Sequence, residues 1–454
     1  MNKKKLIINK LTSRIEYLNS IDIPTKVKDF AKNLIVDISG VTLAGSNTNS
    51  SSIFYETAKD VYTSGNSKVL GKNDTLHPAG AAFVNGTSAH SLDFDDNCYA
   101  GVVHASAVVF PAVLSYAQHK GLSGQDLLRG FIVGLEIQFA VAKALSNSIY
   151  DKGWWTTSML GSIGSTAGIV SLSRLNSEKV ANALSISIAG IGAIRAVRGT
   201  DSKHYYCGKS AENGIIANTF ALKGGTGPID VFEDRNGLIS VLNNGNFEYK
   251  HIKNIGKQFS ILNPGVDIKK YPVCYASHSA VDAVNWILNS KKVLIDNIEK
   301  IICEVPPIIA SNLTYNNPKS VKEAQFSLQY AIAAFLKFGS INLEHLNTKY
   351  IFDPKIKILM NKVEMKISEV SDFVNDNSKF CPEWTNVKVF TLEGNFFEKF
   401  MGFPIGSAKN PLTEKQVFNK FKSCINFSET KLETDLIYEQ LMNIQKIKNC
   451  YDLF

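Results

Sequence analysis

The chain has 454 residues, of which 44% are hydrophobic, 20% charged and 10% aromatic, a balance that suits a globular protein of roughly two to three domains. Its formal net charge is +8, from 49 Lys and Arg against 41 Asp and Glu. The lysines are mixed with acids, as from Lys292 to Lys300, instead of forming the basic face or tail of a nucleic-acid binder, so no nucleic-acid partner is expected. The surplus fits attraction of small anions.

At the start, basic residues precede only Leu6, Ile7 and Ile8 before Asn9 and Lys10, so the apolar core of a signal peptide is missing. No stretch approaches the ~20 apolar residues that span a bilayer. The longest candidate, from Gly101 to Tyr116, contains His104 and Ser106. A cytoplasmic protein without membrane contact is expected. Seven cysteines (Cys98, Cys207, Cys274, Cys303, Cys381, Cys424 and Cys450) are scattered with no CxxC pair, which argues for reduced thiols over a zinc ribbon or redox motif.

The first two-thirds read mainly as helix. The segment Asn85 to Asp96 holds His90, Asp93, Asp95 and Asp96, and His104 follows. If it is helical, His90, Asp93 and Asp96 share one face. Clustered acids raise one another's pKa values, and a carboxylate beside an imidazole suits proton transfer near neutral pH. The same residue types could ligate zinc or iron, or form a solvated acidic helix end.

Ser123 to Asp126 resembles a capping box ahead of an apolar helix, Leu127 to Leu145. Gly161, Gly164 and Gly168 lie on one helical face and invite close approach of a neighbouring helix. They do not match a phosphate-binding glycine loop. Ser177 opens a further helix. Near Ile261 the texture changes: Ile298 to Val305 and Val387 to Glu393 read as strands, with helices from Ser279 to Ser290 and from Ala324 to Phe338. The tail from Thr413 to Lys446 is amphipathic helix again, expected to return to the first domain. The expected organisation is a large all-α domain (1–265 with 405–454) and a smaller α+β lid domain (266–404).

Several motifs in order carry a resemblance. They are Asn85-Gly86…His90…Leu92-Asp93-Phe94-Asp95-Asp96, then His104-Ala105-Ser106; Gly134-Leu135-Glu136; Gly199-Thr200…Lys203 with Gly208…Gly214; and Gly225-Thr226-Gly227-Pro228. Lys270-Tyr271-Pro272…Cys274…His278…Asp282, Phe326-Ser327…Tyr330, and Pro404…Asn410-Pro411 follow. Across essentially the whole chain this resembles the 2-methylcitrate dehydratase / cis-aconitate decarboxylase family, MmgE/PrpD.

The resemblance implies a homodimeric enzyme with its active site between an all-α and an α+β domain. It implies a site built from Asp93, His104, Lys203, His278 and Tyr330, without metal or cofactor. Removing water or CO2 from a small di- or tricarboxylic acid needs a base for the α-proton, an acid for the leaving group and cations for the carboxylates. Lys203, Lys270 and Arg198 are the expected carboxylate anchors. His104, oriented by Asp93, takes one proton-transfer role, and His278 or Tyr330 the other.

Three positions depart from the pattern. Asn97 stands where the family often has Thr, Ala105 where Pro is usual, and Trp155 where family enzymes place a site histidine. Tryptophan transfers no protons and offers instead an apolar wall or a cation–π face. It implies a substrate or reaction different from those of the namesake enzymes. The expected function is therefore a cofactor-independent hydro-lyase. A decarboxylase and an epimerase of the same fold are the near alternatives. An inactive homologue and a metal-dependent hydrolase using His90 and the acids are more distant ones.

Overall fold

The computed structural model describes residues 6–146, 148–368 and 383–454. Cys381 lies outside the described residues, and no disulfide joins the other six cysteines. The chain divides into two compact units. One comprises Met1–Ser91, Asp95–Val266 and Lys415–Phe454; the other is Leu92–Phe94 with Asp267–Glu414. As expected, a large mainly helical unit accompanies a smaller mixed α+β unit.

The helical unit opens with α1 (Ile7–Ser20), α2 (Thr25–Gly45) and α3 (Asn49–Val61), followed by α4 (Pro78–His90) and α5 (Ser106–Lys120). Next come α6 (Gly124–Leu145), α7 (Thr156–Leu172), α8 (Ser177–Ala189) and α9 (Asp201–Leu222). Proline at the first position of α4 lacks an N–H that would have no helical partner there. The Ser123–Asp126 capping box is formed reciprocally at the start of α6.

The helices α4 to α7 are buried around most of their circumference, which only small residues at the crossings permit. A Cβ on Gly134 would come within 2.7 Å of the Gly164 carbonyl, and one on Gly168 within 2.8 Å of the Gly130 carbonyl. The glycine face read from the sequence packs on α5 at Gly161 and on both α5 and α6 at Gly164 and Gly168. Helices α4 and α9 meet in the same way at Gly86 and Gly208, where an added Cβ on Gly208 would run into the Phe83 carbonyl.

The tail forms α12 (Glu414–Ser428) and α13 (Thr434–Met442). Most of it belongs to the helical unit, where Lys420 pairs with Asp37 at 2.7 Å, both buried. Among the described residues no helix is long and apolar enough to cross a membrane.

The second unit contains α10 (His278–Lys291), α11 (Leu328–Phe338) and strands β1 (Ile298–Val305), β2 (Val363–Ile367), β3 (Thr385–Thr391) and β4 (Phe396–Met401). The sheet order is β2-β1-β3-β4; β1 and β2 run parallel, and the other pairs antiparallel. Val387, Val389, Ile301 and Cys303 project into one apolar core with Val284, Ile287, Ala331 and Phe335 of α10 and α11. The period-two pattern of the strands thus meets the 3.6-residue pattern of the helices.

Candidate active site

The α4–α9 crossing sets the geometry. From Gly86 the chain runs four residues forward to His90, and from Gly208 four residues back to His204, so both imidazoles and Lys203 reach the same end of the helix pair. The His90 and His204 rings are 5.9 Å apart. Lys203 is buried there, 4% exposed.

Helix α4 stops at His90, so residues 85–96 are not one helix and His90, Asp93 and Asp96 do not share its face. The chain turns through Asp93, whose φ of 49° is in the left-handed region that Asp tolerates better than most residues. A short hairpin follows, closed by Cys98 N–H to the Val103 carbonyl (2.9 Å) and Val103 N–H to the Cys98 carbonyl (3.0 Å). Cys98 Sγ further ties it to the Gly265 carbonyl at 3.2 Å. His104 comes directly after.

His104 is held on several sides. Its backbone N–H donates to Thr157 Oγ1 of α7 at 3.1 Å, and its Nδ1 lies 2.6 Å from the Asp96 carbonyl. A carbonyl only accepts, so Nδ1 carries the proton and Nε2 is the nitrogen able to accept one. The side chain is 17% exposed. Beneath it, Asp95 Oδ2 lies 2.7 Å from His90 Nδ1 and 3.6 Å from His104 Nδ1, and the two rings are 4.9 Å apart. The carboxylate beside His104 is therefore Asp95, where the sequence pattern suggested Asp93.

Asp96 has a different task. Its carboxyl accepts the Ser106 N–H at 3.2 Å and the Ser106 hydroxyl, capping the first turn of α5. Burial pushes this carboxyl up to about 7; the Ser106 side chain opposes the rise, and the Asp95 and Asp37 charges add to it. Asn97 is 5% exposed, and its Nδ2 has no hydrogen-bond acceptor among the described residues.

Trp155, 5% exposed, immediately precedes α7, and its backbone N–H donates to the Ala193 carbonyl at 3.1 Å. Its indole lies 5.4 Å from the His90 ring, and Lys203 Nζ sits over it at 6.0 Å. The side chain is thus both a wall for His90 and a cation–π partner for Lys203. Arg198 is partly buried in the turn leading to α9. The ligating atoms of His90, Asp95 and His104 fall within 4.8 Å of one another, a donor set that a divalent cation could share. Hydrogen bonds to Asp95 and the Asp96 carbonyl already engage both Nδ1 atoms.

In the second unit, Lys269 is fully buried and donates to the Asp93 carbonyl (2.7 Å) and carboxylate (3.1 Å). Lys270 instead pairs with Asp282 at 3.1 Å, which also accepts from the Tyr271 hydroxyl and the Ile405 N–H. His278 is completely buried at the start of α10, with Nε2 3.3 Å from the Val273 carbonyl and the ring between Tyr271 and Tyr275. Tyr330 lies in the apolar core and donates its hydroxyl to the His345 carbonyl; burial raises the pKa of that hydroxyl.

The MmgE/PrpD N-terminal domain profile matches residues 9–250, and the C-terminal domain profile matches residues 271–444. This chain belongs to the MmgE/PrpD family. It is 26% identical to human cis-aconitate decarboxylase (Homo sapiens) over 458 residues, covering 98% of this chain and 93% of that protein. Against mouse cis-aconitate decarboxylase (Mus musculus) the identity is 27% over 440 residues, covering 93% and 86%. A cis-aconitate decarboxylase of Aspergillus terreus is 23% identical over 449 residues, covering 93% and 90%. This kinship supports enzymatic chemistry of the lyase type in general.

Within this MmgE/PrpD chain the helical unit brings together His104, Lys203 and Trp155 of the expected set, and adds His90, Asp95 and His204. Asp93 and Lys269 form a buried ion pair in the other unit. Lys269, one position before the Lys270 of the motif, is the lysine that meets Asp93. His204 gave no motif signal, because only the α4–α9 crossing brings it to His90.

Proposed function

We propose that this chain is a lyase that removes water or CO2 from a small di- or tricarboxylic acid by proton transfer at carbon next to a carboxylate. The observation that carries this reading is His104, with Nδ1 locked on a backbone carbonyl and Nε2 in the accepting tautomer, beside the buried His90–Asp95 pair. A base so fixed loses little orientational freedom when it reacts. Lys203 supplies the buried cation that holds a substrate carboxylate and offsets the charge of an enolate-like intermediate. Trp155 and Asn97 line the substrate, the second offering an amide donor. His278 is the candidate for the other proton transfer, on the family resemblance alone. Of the two eliminations, loss of water is the one that uses His104 Nε2 as a base; loss of CO2, the activity named for the mammalian relatives, would need the same imidazole to be protonated first and to give its proton to the carbon that loses the carboxylate.

The test is NMR in D2O with a panel of acids: citrate, cis-aconitate, malate and 2-alkylmalates. Deuterium incorporation or product formation is expected for at least one acid, falling by roughly 10²-fold or more in His104→Gln and Lys203→Met. Activity that persists in both variants would overturn the assignment, as would a folded wild type inert to every acid.

A further inference from the structure

The groups assembled around Lys203 describe the ligand better than the lysine alone does. One flank is the Trp155 indole face, 6.0 Å from Nζ, and the same indole abuts the His90 ring at 5.4 Å. Both Trp155 and Lys203 are about nineteen-twentieths buried, so little water screens what happens between them. The Asp95 carboxylate is close by, 2.7 Å from Nδ1 of the His90 ring that abuts the indole.

A carboxylate on Lys203 meets an ammonium group. A further carboxylate placed on the indole side would meet an apolar surface and the Asp95 carboxylate. A hydrocarbon group placed there would bury apolar area against the ring instead.

We propose that Trp155 is a specificity-determining residue that fits this site to a dicarboxylic acid bearing a hydrocarbon substituent, in preference to a tricarboxylic acid. The inference rests on the lyase reading of the same residues and narrows its substrate class. Trp155 moves no proton. It sets which substituent can lie beside the anchored carboxylate, and its position is fixed by the Ala193 carbonyl and by the same helix start that supports His104 through Thr157.

The experiment compares kcat/KM for 2-ethylmalate and citrate in the wild type, Trp155→Phe and Trp155→His, with Kd for the same acids by calorimetry on each protein. The wild type is expected to favour 2-ethylmalate by roughly tenfold or more, the scale of a few methylene groups against an apolar wall. Trp155→Phe keeps an aromatic wall and should retain the preference; Trp155→His should shift the ratio towards citrate by about tenfold. A ratio unchanged in Trp155→His, or a wild type that prefers citrate, overturns the proposal. If no acid is turned over by any of the three proteins, the lyase reading fails, and the specificity claim is then judged by the Kd ratios alone: a wild-type preference lost in Trp155→His supports it, and its absence overturns it.

Discussion

His104 and Asp96 sit eight positions apart in the chain, yet one supplies the carbonyl that fixes the other's tautomer, so the protonation of Asp96 bears on the ring through the backbone that joins them. The Asp96 carboxyl is raised to about 7 in the folded chain from the ordinary 3.8. Its contribution to stability is therefore fully present below pH about 3.8 and is lost as pH rises through about 7. Glu136, raised to about 7 by burial against its two backbone donors, Ser260 and Ile261, acts in the same direction. Urea unfolding at pH 5 and pH 8 should show the wild type losing a few kcal/mol between them, and Asp96→Asn losing measurably less, because Asn keeps an acceptor for Ser106 without a charge to bury. Equal losses in the two proteins would show that Asp96 does not titrate there. Residue identity was only partly legible in the sequence. The acid-and-histidine cluster was visible as a group, but which acid serves His104 depended on where α4 ends. The left-handed turn at Asp93, supported by Lys269, is a tertiary decision that local periodicity does not encode.

At the scale of elements the sequence was more readable. The Ser123 capping box, the glycine face of α7 and the strand β1 rest on local rules and are present where those rules put them, while β3 lies two residues before the Val387 to Glu393 that alternation suggests. The glycine crossings carry a direct consequence for stability. Gly168→Ala would set a methyl group 2.7 Å from the Val113 side chain and 2.8 Å from the Gly130 carbonyl, and backbone cannot swing aside as a side-chain tip can. A loss of about 1–3 kcal/mol in the urea midpoint analysis is expected, despite the higher helix propensity of alanine. A gain in stability would mean that α6 and α7 can separate freely. Gly121, around which an added Cβ meets nothing within 4 Å, is the control for space, although its φ of 62° still disfavours a side chain.

Across the whole molecule, the last helices matter to the first. Lys420 of α12 and Asp37 of α2 are 383 residues apart in sequence and form a buried pair, 5% and 1% exposed at the side chain. Removing one partner leaves a charge where water cannot reach it: Lys420→Met should cost about 3–5 kcal/mol, and adding Asp37→Leu should recover much of that loss, measured by thermal or urea unfolding. Independent, additive losses would show that the pair is not coupled. The three-residue contribution of Leu92–Phe94 to the second unit has a separate consequence for anyone dividing the gene. A fragment spanning Asp267–Glu414 would include Lys269 but not Asp93, stripping a fully buried ammonium of the carboxylate that offsets it. Such a fragment should fold poorly by itself and better when a short peptide containing Leu92, Asp93 and Phe94 is added. The boundary between the two halves of the gene is thus not a boundary between two self-sufficient proteins.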